Sequence, residues 1–191
     1  MPPLLHLEAG FPKLAAAGYN KTSNATGRPP IPGAYNCIAW AANDMRCWWW
    51  PDSLDAYWPP WIKSSEETIP CFVRTFRWLG YRLCKSSRRE FAHEKVVLYA
   101  IHNSYMPAIP PTDWRDFGDW IPTHMARQLP DGTWTSKCGG NEDITHFSLD
   151  ALESYGTRNH YGCPVLYMKR LIPVSRFVRF CQRIIWRFEK I

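Results

Sequence analysis

An α+β fold is predicted by three features of this 191-residue chain. A helix pattern runs from Ala34 to Arg46, an apolar β-branched strand spans Lys95–Ile101, and a hairpin pattern covers residues 122–138 around Asp131-Gly132. The helix follows Pro32-Gly33 and puts Ile38, Ala41, Ala42 and Met45 on one face at helical spacing. The strand is short and apolar enough to be buried. Asp-Gly between two extended runs is a strong hairpin signal.

The remaining elements follow in order. Residues 1–33 are rich in proline and glycine and predict an irregular lead-in with at most one short helical piece near Lys13–Ala17. Pro51, Pro59 and Pro60 exclude a long helix from Trp48–Trp61. Ser64 and Glu67 have capping-box spacing for a helix carrying Phe72, Phe76 and Leu79 to Gly80, although Pro70 moves its expected start toward Thr68. Residues 102–122 read as loop. A short helix is expected at 148–154 with Ser148 as N-cap, and a last strand at Val165–Met168. Val174–Ile191 predicts a basic amphipathic helix. Its apolar side includes Phe177, Ile184 and Phe188, and its basic residues are Arg176, Arg179, Arg183, Arg187 and Lys190. The expected division is a lead-in (1–33), a main domain (34–170) and the terminal helix (171–191).

Composition narrows the classes of function. The chain is 46% hydrophobic and 15% aromatic, which fits a folded protein. Its net charge of +6 is matched by the segment from Lys169 onward, which has seven basic residues against one acid; the first 168 residues hold 16 of each and are neutral. A neutral main domain argues against a nucleic-acid partner. Seven scattered cysteines with no C-x-x-C pair fit free thiols in a reducing compartment. No secretory signal or membrane-spanning run is visible. A cytosolic location is expected, with a membrane-surface position or non-classical export left open.

The chemistry centres on two residues. Cys37 sits where the first helix should begin, near unpaired amides that favour a thiolate. His124 lies at the outer end of the hairpin and offers a base. The same residues fit a buried structural cysteine beside an ordinary strand histidine. His124, Cys138, His146 and Cys163 match no zinc spacing, so neither a metal nor another cofactor is expected. His146 reads as a hydrogen-bonded structural residue, with a position near the cleft left open, and most tryptophans read as core anchors.

With Cys37, His124 and the hairpin in view, the chain resembles the papain-like thiol hydrolase superfamily, especially its NlpC-type amidases and endopeptidases. It also resembles a set of microbial domains sharing Tyr35-Asn36-Cys37-Ile38-Ala39-Trp40, Trp48-Trp49-Trp50-Pro51, Thr123-His124-x-Ala126-Arg127-Gln128-Leu129 and Trp134-x-Ser136-Lys137. The superfamily resemblance implies a papain-like α+β fold and a third polar residue that orients the imidazole. Eleven residues separate His124 from Ser136, the spacing those enzymes commonly use. Serine departs from their usual residue types, so Asp143 or Glu142 are alternatives for this role. The implied function is a cysteine peptidase or amidase, with a toxin or effector as one form, cleaving a protein or peptide-like substrate. The alternative is a non-catalytic interaction domain that binds a protein or membrane through its aromatic surface and the 171–191 helix.

Overall fold

The structure, a computed structural model, describes residues 3–23, 33–51, 53–63, 65–156 and 161–172. The helix expected over Val174–Ile191 lies outside the described residues, as does Ser64 of the expected capping box. The described residues form an α+β fold built on a seven-stranded antiparallel sheet. In chain order its strands are β1 (Tyr19–Ser23), β2 (Arg82–Cys84), β3 (His93–His102), β4 (Trp120–Gln128), β5 (Trp134–Lys137), β6 (Asp143–His146) and β7 (Cys163–Leu171). Their spatial order is β1-β6-β5-β4-β3-β7-β2.

β3 is central, pairing with β4 on one side and β7 on the other. Eight of its ten residues are buried, which explains the continuous apolar run: both faces are covered, so alternation is lost. β4 returns through the Asp131-Gly132 turn to β5, as the hairpin pattern predicts. β7 extends well beyond Val165–Met168 because β3 and β2 pair with it on either side.

Four helices cover the sheet: α1 (Leu5–Gly10), α2 (Leu14–Ala17), α3 (Cys37–Ala41) and α4 (Ile69–Trp78). α4 begins after Thr68 and tolerates Pro70 because first-turn amides have no intrahelical partner. It buries Ile69, Phe72, Val73 and Phe76 against the sheet face carrying Val96, Leu98 and Met125. α3 lies on that same face.

Three sequence expectations need correction. The helix predicted for Ala34–Arg46 is only five residues long, because the chain turns at Ala42 and Asn43 takes a positive φ of 63°. The lead-in is more structured than its composition predicts: α1 and α2 pack Leu7, Phe11 and Leu14 on the other face, and β1 pairs with β6. Tertiary burial there overrides the Pro and Gly signals. The expected 148–154 helix is a single 3-10 turn, Asp150–Leu152, with no side-chain cap.

Candidate functional site

Asn36 fixes the start of α3. Its Oδ1 accepts from the Ala39 N–H at 3.1 Å and the Trp49 N–H at 3.2 Å, and its Nδ2 donates to the Trp49 carbonyl at 2.7 Å. The cap therefore ties the helix to the tryptophan-rich loop. Cys37 follows as the first helical residue and is buried. Burial pushes its thiol up to about 11, outweighing backbone hydrogen bonds from Met125, Ile38 and its own amide that favour the charged form. The resting group is a thiol, not the thiolate expected from a helix start. One turn and a half of helix supplies little dipole, and desolvation wins.

His124 is also fully buried. Its Nε2 lies 3.0 Å from Ser136 Oγ, its ring stacks on Tyr161 at 4.2 Å, and Tyr99 meets it edge-on at 5.3 Å. Nδ1 has no hydrogen-bond partner among the described residues. Burial, followed by the neighbouring His146, holds the imidazole well below its ordinary pKa, so it is neutral.

The ladder sets how these groups face each other. Tyr99 pairs with His124 and Leu98 with Met125, and successive side chains leave a strand on opposite faces. His124 therefore belongs to the Tyr99 face, whereas Cys37 packs with Leu98 and Met125. Among the described residues no hydrogen bond joins Cys37 to His124.

β4 and β5 pair only at Arg127↔Thr135 and Gln128↔Trp134, next to the turn. Beyond that point a pocket of about 510 Å³ is lined by Thr123 of β4 and by Cys138, just past β5. Cys37 lines it from one face of the sheet, and Tyr161 and Phe11 from the other. Trp48, Trp50 and Glu67 complete much of the wall.

Residues 21–169 match a family described as a domain of unknown function (DUF7689). The chain belongs to that family. The DUF7689 match runs from within β1 to within β7, so it includes Cys37, His124 and Ser136. α1 and α2 lie outside the matched stretch, although Phe11 between them contributes to the pocket. Comparison with curated proteins and with solved structures found no significant match.

The other sequence candidates of this DUF7689 chain fall in separate places. Asp143 does not reach His124; it accepts a 2.5 Å hydrogen bond from Tyr35 on the Cys37 face, where β6 pairs it across from Lys137. Glu142 is engaged by His6 at 2.8 Å and Lys21 at 3.6 Å. Lys137 is buried, donates to the Asn141 carbonyl and lies over the Tyr35 ring. Trp49 is core, while Trp48 and Trp50 line the pocket. No group of three or more metal-ligating side chains converges among the described residues.

One residue set aside in the sequence belongs with His124. Ser136 Oγ lies 3.0 Å from His146 Nε2, and His146 Nδ1 lies 2.7 Å from the Ser148 carbonyl. The strand register explains the contact: Trp134 pairs with His146 and Ser136 with Ile144, so all four share one face.

Proposed function

We propose that this chain is a thiol hydrolase on a papain-like scaffold, cleaving an amide or ester with Cys37 as nucleophile and His124 as base. One arrangement carries the reading. Cys37 lines an open pocket, and the bordering strand holds a buried histidine with one nitrogen tied to Ser136 and the other without a partner among the described residues.

A thiol near 11 is ionised in roughly one molecule in 10⁴ at pH 7. Attack would therefore be assisted by the base, rather than starting from a preformed ion pair. As the Cys37 Sγ–C bond forms, the thiol proton passes to His124 Nδ1. The C–N or C–O bond then breaks, and that proton goes to the leaving amine or alcohol. Water cleaves the thioester and restores the thiol. The substrate must bring Cys37 and His124 together for this step, and the opening between β4 and β5 is where they would meet. The aromatic walls fit a substrate with a flat or apolar group beside the scissile bond.

A second reading is favoured by one observation: Cys37 and His124 both rest in their neutral forms, with no hydrogen bond between them among the described residues. In that reading the scaffold is a non-catalytic domain, and the aromatic pocket binds a protein or peptide without cleaving it.

Acylation of the full chain by p-nitrophenyl esters, followed by intact mass, separates the two. The hydrolase should form an adduct on Cys37 that is absent in Cys37→Ala and slowed by about 10²–10⁴-fold in His124→Ala. Equal rates for wild type and His124→Ala would end the hydrolase reading.

A further inference from the structure

Two histidines and a serine form a continuous chain across β4, β5 and β6, and its chemistry has only one consistent proton arrangement. The Ser148 carbonyl can only accept, so His146 Nδ1 carries the hydrogen in that 2.7 Å contact. Burial pushes His146 down to about 4, so the ring is neutral and its Nε2 holds a lone pair. Ser136 Oγ, 3.0 Å away, must donate its single hydrogen to that nitrogen. The hydroxyl can then only accept from His124, 3.0 Å away on the other side. His124 Nε2 therefore carries the hydrogen, and Nδ1 is left with the lone pair. That Nδ1 is the buried nitrogen with no partner among the described residues.

We propose that His146 is a positioning residue: acting through Ser136, it holds His124 in the Nε2–H tautomer and leaves Nδ1 as the basic nitrogen. Its purpose rests on the hydrolase reading above, while the tautomer stands or falls on its own. The arrangement also explains how a serine can occupy the third position. A carboxylate or amide oxygen next to an imidazole is always an acceptor, but a hydroxyl can turn either way and would allow both tautomers. His146 removes that freedom by taking the hydroxyl proton. When His124 accepts a proton at Nδ1, its Nε2–H strengthens as a donor, and Ser136 is already oriented to receive it.

The chain lies on one side of the sheet. His124 comes from β4, Ser136 from β5 and His146 from β6. Such a row can be set by strand register alone, and stacking of Tyr161 on the His124 ring holds the ring plane.

Nitrogen NMR of isotope-labelled histidine rings in the full chain at neutral pH tests this directly, with resonances assigned from single His variants. The expected result is Nδ1–H for His146 and Nε2–H for His124. In His146→Phe the Ser136 hydroxyl loses its acceptor, so the His124 signals should shift toward Nδ1–H, and Cys37 acylation should fall by about 10²-fold or more. His146→Gln, which restores an acceptor oxygen, should recover much of both.

Finding Nδ1–H on His124 in the wild type overturns the proposal without any variant having to fold. So does an unchanged His124 tautomer in a folded His146→Phe protein. The wild-type tautomers as stated, with Cys37 acylation indifferent to His124, would keep the relay and remove the hydrolase. Acylation that needs His124, with Nδ1–H on its ring, would do the reverse.

Discussion

The two faces of the sheet solve the same packing problem with different chemistry. One face is covered by α3 and α4, with Phe72, Phe76 and Leu98 in a largely apolar core, and its buried polar groups are spread over separate contacts, among them Tyr35–Asp143, Asn36–Trp49 and Tyr81–Glu94. The other is covered by the N-terminal helices through Leu7, Phe11 and Leu14, yet it also encloses the His124–Ser136–His146 row. Neighbouring residues on β4 serve opposite faces, Met125 facing the cysteine helix and His124 the histidine row. The comparison shows how a pocket can draw on both: where the β4–β5 ladder stops, Cys37 and Tyr161 line the same space. Alternation places Cys37 and His124 on opposite faces.

The largest effect is expected at Gly162, which sits between Tyr161 and the start of β7 and lies against the backbone of β3. A Cβ there would come within 1.9 Å of the Ala100 carbonyl oxygen, at a φ of +67°. Gly162→Ala should cost at least about 3 kcal/mol and displace Tyr161 from His124. A urea midpoint within error of wild type would show that β7 can shift to admit a methyl group. Next come the two cores. Phe76→Ala should cost about 3–5 kcal/mol and Leu7→Ala about 2–5 kcal/mol, each leaving a cavity on its own face. A Leu7→Ala loss of less than about 1 kcal/mol would mean that the N-terminal helices are not part of the core.

The histidine row gives its face a pH dependence. Both rings have folded values below the ordinary ~6.5, so below that pH the unfolded chain binds more protons than the native one. Stability should be complete above about pH 6.5 and fall as the pH drops, His146 alone contributing a loss of about 3 kcal/mol by pH 4. The Ser148 carbonyl and Asp150 pull the His146 value upward but do not overcome burial. Urea titrations at several pH values should show a shallower slope in His146→Phe than in wild type; parallel slopes would break this account. The smallest change is Tyr35→Phe, which takes one donor from Asp143 on the opposite face. It should cost about 1–3 kcal/mol and leave acylation of Cys37 unaltered by any direct contact with His124.

Four of the seven strands, β3, β4, β5 and part of β7, were legible because their signals are local, while β1, β2 and β6 were not. The 95–101 run, the Asp131-Gly132 turn and the Thr68–Gly80 helix each carry their pattern within about a dozen residues. The pairing of His124 with Ser136 could also be anticipated, since hairpin register follows from the turn. The lead-in was not legible, because its helices gain their stability from burying Leu7, Phe11 and Leu14 against a sheet made later in the chain. Nor was the contact of His146 with Ser136 legible, which depends on a strand two places away from β4.

The β3 run, the hairpin, a cysteine at a helix start and the charge asymmetry follow from residue type and spacing in the sequence by itself, whereas β1, β2 and β6 are made strands only by their partners in the sheet. Tertiary structure decided the protonation state of Cys37, His124 and His146. Desolvation by distant segments raised the Cys37 thiol and lowered both histidines. Only the assembled sheet put a carbonyl, two imidazoles and one hydroxyl in a row with a defined direction. A pKa and a tautomer belong to an environment, and that environment is supplied by residues far apart in the chain.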